Sequence, residues 1–229
     1  MEDINKVKSI SIWVFIIPFF AVNTCLILIT QFHNLFPNQE DVILNTIPYF
    51  DGGTSISRTA RVFPTYFIFK PAMLLTSFLL VKYWLWNKNI INQLDSENKY
   101  VSKIIFFGIG SALLLAVHSI FLGIKLDYSI YKLFRRVVMV LFISFEIAAQ
   151  AYLVFIFYKL GEKINLYINF KILFAKRILV TLLIIIAVIS IPIVSMDGNK
   201  AFKHALEWNY FVGVIFFYLL TYFMWKRTN

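Results

Sequence analysis

Cysteine is almost absent: the chain has one, Cys25, so no internal disulfide can form, and its place within an apolar run points to packing. Charge is scarce too. Charged residues make up 15% of 229 positions, with 12 acids against 22 lysines and arginines, which is too little polar surface for a soluble domain of this length. No H-E-x-x-H, P-loop, G-x-S-x-G or dinucleotide fingerprint occurs, so soluble-enzyme chemistries lack support and no cofactor is expected. His33, His118 and His204 lack the paired spacing of a zinc site, so no metal is predicted. The net charge of +10 is scattered among connectors and forms no single stripe, which argues against a nucleic-acid partner and for membrane phospholipid as the counter-charge.

What fills the chain is apolar. Hydrophobic residues reach 60%, and six runs of roughly 10–30, 63–86, 104–124, 137–158, 178–195 and 206–225 are each long enough to span hydrocarbon. Backbone polar groups find no water inside lipid, so every run should be helical. The expected fold is therefore all-α, a polytopic membrane bundle of six transmembrane helices with a long first extracytoplasmic loop. No internal repeat or composition break divides residues 1–229, which read as a single transmembrane domain. The first run follows Lys6 and Lys8 without a small-residue cleavage site, so it reads as a retained helix. No N-x-[ST] sequon occurs, which fits a prokaryotic inner or plasma membrane.

Alternate connectors divide the basic residues unequally. The side of the termini carries twelve, five of them in 159–177, against eight on the other side: Arg58, Arg61, Lys125, Lys132, Arg135, Arg136, Lys200 and Lys203. The positive-inside rule then places both termini in the cytoplasm. The outward connector 31–62 contains Asp51-Gly52-Gly53, a strong turn signal. Trp84, Trp86, Trp208 and Trp225 close or open helices and read as interfacial anchors, while Gly108, Ala112 and Ala116 recur every four residues and would permit a close crossing. Pro18 and Pro192 fall inside runs and are expected to bend them.

Ionisable groups at bilayer depth are costly and mark candidate sites. Counted from the run boundaries, Lys70 lies ~10 Å and Glu146 ~13 Å from the outer ends of their helices, so the two should pair. Asn23 and His118 fall at matching depths, Glu207 and Asn209 open the last helix, and Gln150 lies one turn from Glu146. The expected site is an outward-facing polar pocket of Lys70, His118, Glu146 and Glu207, rimmed by Arg58, Arg61, Arg135 and Arg136. Guanidinium forks suit phosphate, so a phospholipid or glycolipid headgroup is the expected partner. The structural alternative is that Lys70 and Glu146 merely neutralise each other and set helix register.

The segment Ile56-Ser57-Arg58-Thr59-Ala60-Arg61-Val62-Phe63-Pro64-Thr65-Tyr66-Phe67-Ile68-Phe69 resembles the I-S-D-T-G…P-E…F motif of the family joining the DRAM autophagy modulators to eukaryotic GPI-anchor lipid-remodelling proteins. The Glu207-Trp208 start of the last helix is similar as well. Ser57, Thr59, Pro64, Phe69 and Glu207 keep the family's positions, while Arg58, Ala60 and Thr65 replace its acidic residue, glycine and glutamate. The resemblance implies a six-span protein concerned with lipid remodelling or membrane lipid organisation. Two other functions are carried beside headgroup binding. One is a membrane-embedded acyl- or headgroup-transferase or hydrolase, with Glu146 or His118 as base and Ser57 or Ser119 as nucleophile. The other is a small transporter, which needs a polar path through both leaflets.

Overall fold

The computed structural model describes residues 2–124, 128–196 and 198–226. Eight α-helices follow in order: α1 (Glu2–Gln31), α2 (Ile56–Ala60), α3 (Tyr66–Leu94), α4 (Val101–Phe121), α5 (Ser129–Leu160), α6 (Glu162–Asn165), α7 (Phe170–Ser195) and α8 (Lys200–Met224). No strand occurs among the described residues; the backbone of Ile168 only bridges to Trp225. Six of the helices, α1, α3, α4, α5, α7 and α8, are long and apolar enough to cross a membrane. Lys125 and Arg227, both used in the charge comparison, lie outside the described residues.

The helices outrun the hydropathic runs. α5 starts at Ser129 and not near 137, and α7 at Phe170 and not near 178. Hydropathy marks only the stretch immersed in hydrocarbon, whereas i to i−4 hydrogen bonding continues through polar residues such as Lys171, Lys176 and Arg177. These early starts change the depths of the candidate site residues.

Past the long first loop the connectors are short and make chain neighbours antiparallel, and the helices close into a ring: α1 packs on α3, α3 on α4, α4 on α5, α5 on α7, α7 on α8, and α8 back on α1. The small-residue face of α4 carries the α3 crossing. A side chain at Gly108 would collide with the Trp84 ring at 2.4 Å, and Ser77 Oγ donates to the Ala112 carbonyl at 2.7 Å. Trp84 is thus a core residue and not an interfacial anchor. Trp208 and Trp225 are buried as well, the latter 5.5 Å from the Phe157 ring, while half-buried Trp86 lies beneath the Lys6 ammonium. Tryptophan at a helix end indicates the interface only when its face of the helix points to lipid. Pro18, Pro71 and Pro192 all lie within helices.

Candidate functional site

The end of the bundle opposite the termini is built on a docked loop. Asp51 closes the turn after Thr46 by accepting from Thr46 Oγ1 at 2.7 Å and from the N–H groups of Ile47 and Gly53, both at 2.8 Å. These donors, the Thr46 hydroxyl first, hold its carboxyl below the usual aspartate range. The first turns of α8 then grip the loop. His204 Nδ1 meets the Gly52 carbonyl at 2.9 Å, Trp208 Nε1 donates to Thr54 O at 2.9 Å, and Asn209 Nδ2 donates to Tyr49 O at 2.8 Å. Tyr49 completes the seam by donating to Asn23 Oδ1 of α1 at 2.9 Å.

Short helix α2 leaves this loop with Ser55 as its N-cap, the Ser55 hydroxyl accepting from Arg58 N. The Glu207 carboxylate faces the backbone N–H groups of Ile56 and Ser57 and so covers the same helix start. Among the family-motif positions, Thr59 and Phe69 are buried and Ser57 and Pro64 half-buried. Thr59 Oγ1 is spent on the Ile56 carbonyl at 2.8 Å. Glu207 is therefore engaged by backbone, and the cations of the sequence reading stand around it.

Those cations converge from three elements. Arg58 and Arg61 come from α2 and its C-cap, Lys70 from the first turns of α3, and Arg135 from the second turn of α5. Lys70 Nζ donates to the Ile120 carbonyl near the end of α4, at 3.3 Å, and lies 5.8 Å from the Tyr66 ring. Gly123, just past α4, adopts φ +83° against the Arg61 backbone, where a Cβ would come within 3.0 Å of the carbonyl. Partial desolvation, then the charges of Arg135 and Arg58, pull the Arg61 guanidinium below its ordinary value; Asp41 acts the other way. Arg135 also lies within electrostatic reach of His118, which is 8% exposed. Both His118 Nδ1 and Arg135 Nε are buried without a hydrogen-bond partner. Among the described residues, no carboxylate comes within 4.0 Å of Arg58, Arg61, Lys70 or Arg135.

Glu146 does not join this group, and the expected pair with Lys70 does not form. Lys70 stands four residues into α3 and Glu146 seventeen into α5, so their depths are ~6 and ~26 Å. Placing the start of α5 at 137 concealed that gap. Glu146 instead sits at mid-bundle, 1% exposed, where it accepts from Ser111 Oγ at 2.6 Å, Gln150 Nε2 at 3.0 Å and the Tyr218 hydroxyl. Gln150 bridges on to the Val214 carbonyl at 3.2 Å.

A second buried ionisable group lies beyond it, towards the termini. Lys176, fully buried, donates to Thr221 Oγ1 at 2.7 Å and rests 3.8 Å from the Phe217 ring. Tyr83 bonds the same threonine at 3.3 Å and packs edge-on to Tyr218, 4.9 Å between centroids. Polar groups therefore continue from Glu146 into the half of the bundle nearer the termini. The charge comparison from sequence counted Lys176 among the five basic residues of connector 159–177. The missed signal was periodicity: Lys176 occupies a stripe with Leu173, Val180 and Leu183, all buried, as residues at helical spacing on one core-facing side are.

The nucleophiles considered from sequence are placed elsewhere. Ser119 is buried and bonded to the Leu115 carbonyl, and Ser57 lies 3.3 Å from Ser55 Oγ. His33 bonds the Thr30 carbonyl, and among the described residues no three His, Cys, Asp or Glu side chains are grouped to hold a metal ion. No protein-family model, curated protein or solved structure matches the chain.

Proposed function

We propose that the end of the bundle opposite the termini binds the anionic headgroup of a membrane phospholipid or glycolipid. One observation carries the reading: Arg58 and Arg135 both lie within electrostatic reach of Arg61, none of the three has a carboxylate within 4.0 Å among the described residues, and the buried His118 Nδ1 and Arg135 Nε lack partners. Uncompensated like charge is costly, and a phosphate oxygen answers both the charge and the unmet Arg135 Nε–H. A lipid brings that phosphate to the membrane surface while its acyl chains remain in hydrocarbon. Lys70 adds a fourth cation, and the arginine-bearing end faces outward by the positive-inside rule. The resemblance of residues 56–69 to lipid-remodelling proteins agrees with this partner and suggests a role in lipid remodelling or organisation.

The test is lipid retention. Arg61→Gln combined with Arg135→Gln should lower co-purified anionic lipid about thirtyfold, each cation near the surface contributing ~1 kcal/mol. Lys70→Met should lower it less, and Lys171→Gln, on the opposite side, not at all. Retention unchanged in the arginine double variant overturns the proposal.

One contact favours a second reading, acyl or headgroup transfer: Ser111 Oγ donates to Glu146 at 2.6 Å, the distance a base and nucleophile require. Both groups are enclosed by packed helices, however, so a substrate would need a path through the core. Headgroup binding needs no such path and ranks first.

A further inference from the structure

A different cluster occupies the other end of the bundle, where α4 begins and α5 ends. Tyr100 is surrounded by three ammonium groups, with Lys159 Nζ 5.1 Å, Lys103 Nζ 5.6 Å and Lys99 Nζ 5.8 Å from its ring centroid. Lys103 is also 5.6 Å from the Tyr152 ring, and Tyr152 stacks on Phe107 at 5.8 Å with 13° between planes. Cation–π contact at such exposed positions is worth only ~0.5–1 kcal/mol each. It does not offset gathering three like charges. Among the described residues no carboxylate lies within 4.0 Å of any of the three, and nearby Asp95 is engaged with Asn98 Nδ2 at 2.9 Å.

Beneath these charges the surface opens. Ser102, Lys103, Phe106, Phe107 and Tyr152 line a cleft of about 450 Å³ between α4 and α5, and Phe106, one wall of it, is 63% exposed. Phe106 lies five residues into α4, so this wall begins ~7 Å below the charged mouth. Basic groups above a lipid-facing apolar cleft between two spans form the arrangement that holds acidic lipid headgroups.

We propose that this cleft is a second lipid site, in the leaflet on the side of the termini, for a diacyl glycerophospholipid of net negative charge. Its phosphodiester lies among Lys99, Lys103 and Lys159, and an acyl chain lies along Phe106 and Phe107. Charge complementarity selects the occupant: a zwitterionic lipid brings a cation with its phosphate and so no net charge to offset the three ammonium groups, and free phosphate leaves the aromatic walls uncovered. The site is independent of the arginine end, from which it is separated by the length of α4.

Native mass spectrometry of the full chain, released from nanodiscs of equimolar phosphatidylglycerol and phosphatidylcholine, tests it. Lys103→Gln with Lys159→Gln should remove one bound phosphatidylglycerol, seen as an about thirtyfold loss of that adduct. The double variant Lys163→Gln, Lys171→Gln removes equal charge from the same side and should retain it. Arg61→Gln with Arg135→Gln should also retain this adduct while losing a different one, so the two lipid proposals fail or stand separately. Phe106→Ala keeps the charge and should weaken the adduct. Full retention in the Lys103/Lys159 variant overturns the site, as does equal loss in the Lys163/Lys171 variant, which would indicate diffuse surface charge. Displacement of phosphatidylglycerol from the unaltered protein by millimolar inorganic phosphate would equally overturn the acyl-chain contribution.

Discussion

Lys176 and Glu146 are both buried ionisable side chains, yet their neighbours make them unlike. Lys176 relies on one hydroxyl and one ring: Thr221 Oγ1 accepts from it at 2.7 Å and Phe217 lies beneath it. Thr221 does not need the amine, because it already donates to the Phe217 carbonyl at 2.9 Å and meets the Tyr83 hydroxyl. Methionine has nearly the shape of lysine without the ion to desolvate, and exchanging a buried ion for an apolar side chain of similar volume is often neutral or stabilising. Lys176→Met should therefore leave the thermal unfolding midpoint in detergent unchanged or raise it. A loss above about 3 kcal/mol would show that the ammonium anchors the core. Glu146 is the reverse case, since three side chains donate to it. Glu146→Leu strands the Tyr218 hydroxyl at about 1–3 kcal/mol, whereas Ser111 keeps the Gly108 carbonyl at 2.8 Å and Gln150 that of Val214, so the same assay should show a fall of that size.

The loop of residues 46–61 behaves as one element because its turn and its docking share Gly52. That residue has φ +60°, and a Cβ on it would lie 1.8 Å from the Ala201 carbonyl at the start of α8. Two separate demands, left-handed backbone and close approach, therefore fall on one position. Gly198 supplies a control: its φ is +87°, but a Cβ there meets nothing within 4 Å. Gly198→Ala should cost only the backbone term of about 1–2 kcal/mol. Gly52→Ala adds a clash with immovable backbone, so it should lift the loop from α8, breaking the contacts of His204, Trp208 and Asn209 together. Limited proteolysis would report this as rapid cleavage within 46–61 in the Gly52 variant alone. Equal protection of both variants would mean that the loop holds without its seat on α8.

Across the whole molecule, the six-helix architecture was legible because hydrocarbon imposes one requirement on every span, a long apolar run, and all six runs are helices. Boundaries were not, because interfacial lysines and arginines continue a helix without registering as apolar. That shift of eight residues at α5 and at α7 is what misplaced Glu146 and hid Lys176. Arg58, Arg61, Arg135 and Arg136 could be picked out from sequence because they flank the runs, whereas the bonding of Glu146 to Ser111 and Tyr218 depends on helix rotation, which hydropathy does not report. Sidedness is the remaining consequence at this scale. Moving Lys176 into the core leaves eleven basic residues against eight, with the excess still on the side of the termini. Cysteine labelling can read that bias directly, since Cys25 is fully buried and gives the unaltered chain a silent background. Asn45, exposed in the 32–55 loop, and Leu166, 80% exposed between α6 and α7, lie at opposite ends of the bundle. In intact cells an impermeant maleimide should label Asn45→Cys, and Leu166→Cys only after permeabilisation. The reverse pattern would put the arginine-bearing end in the cytoplasm and move the proposed headgroup site to the inner leaflet.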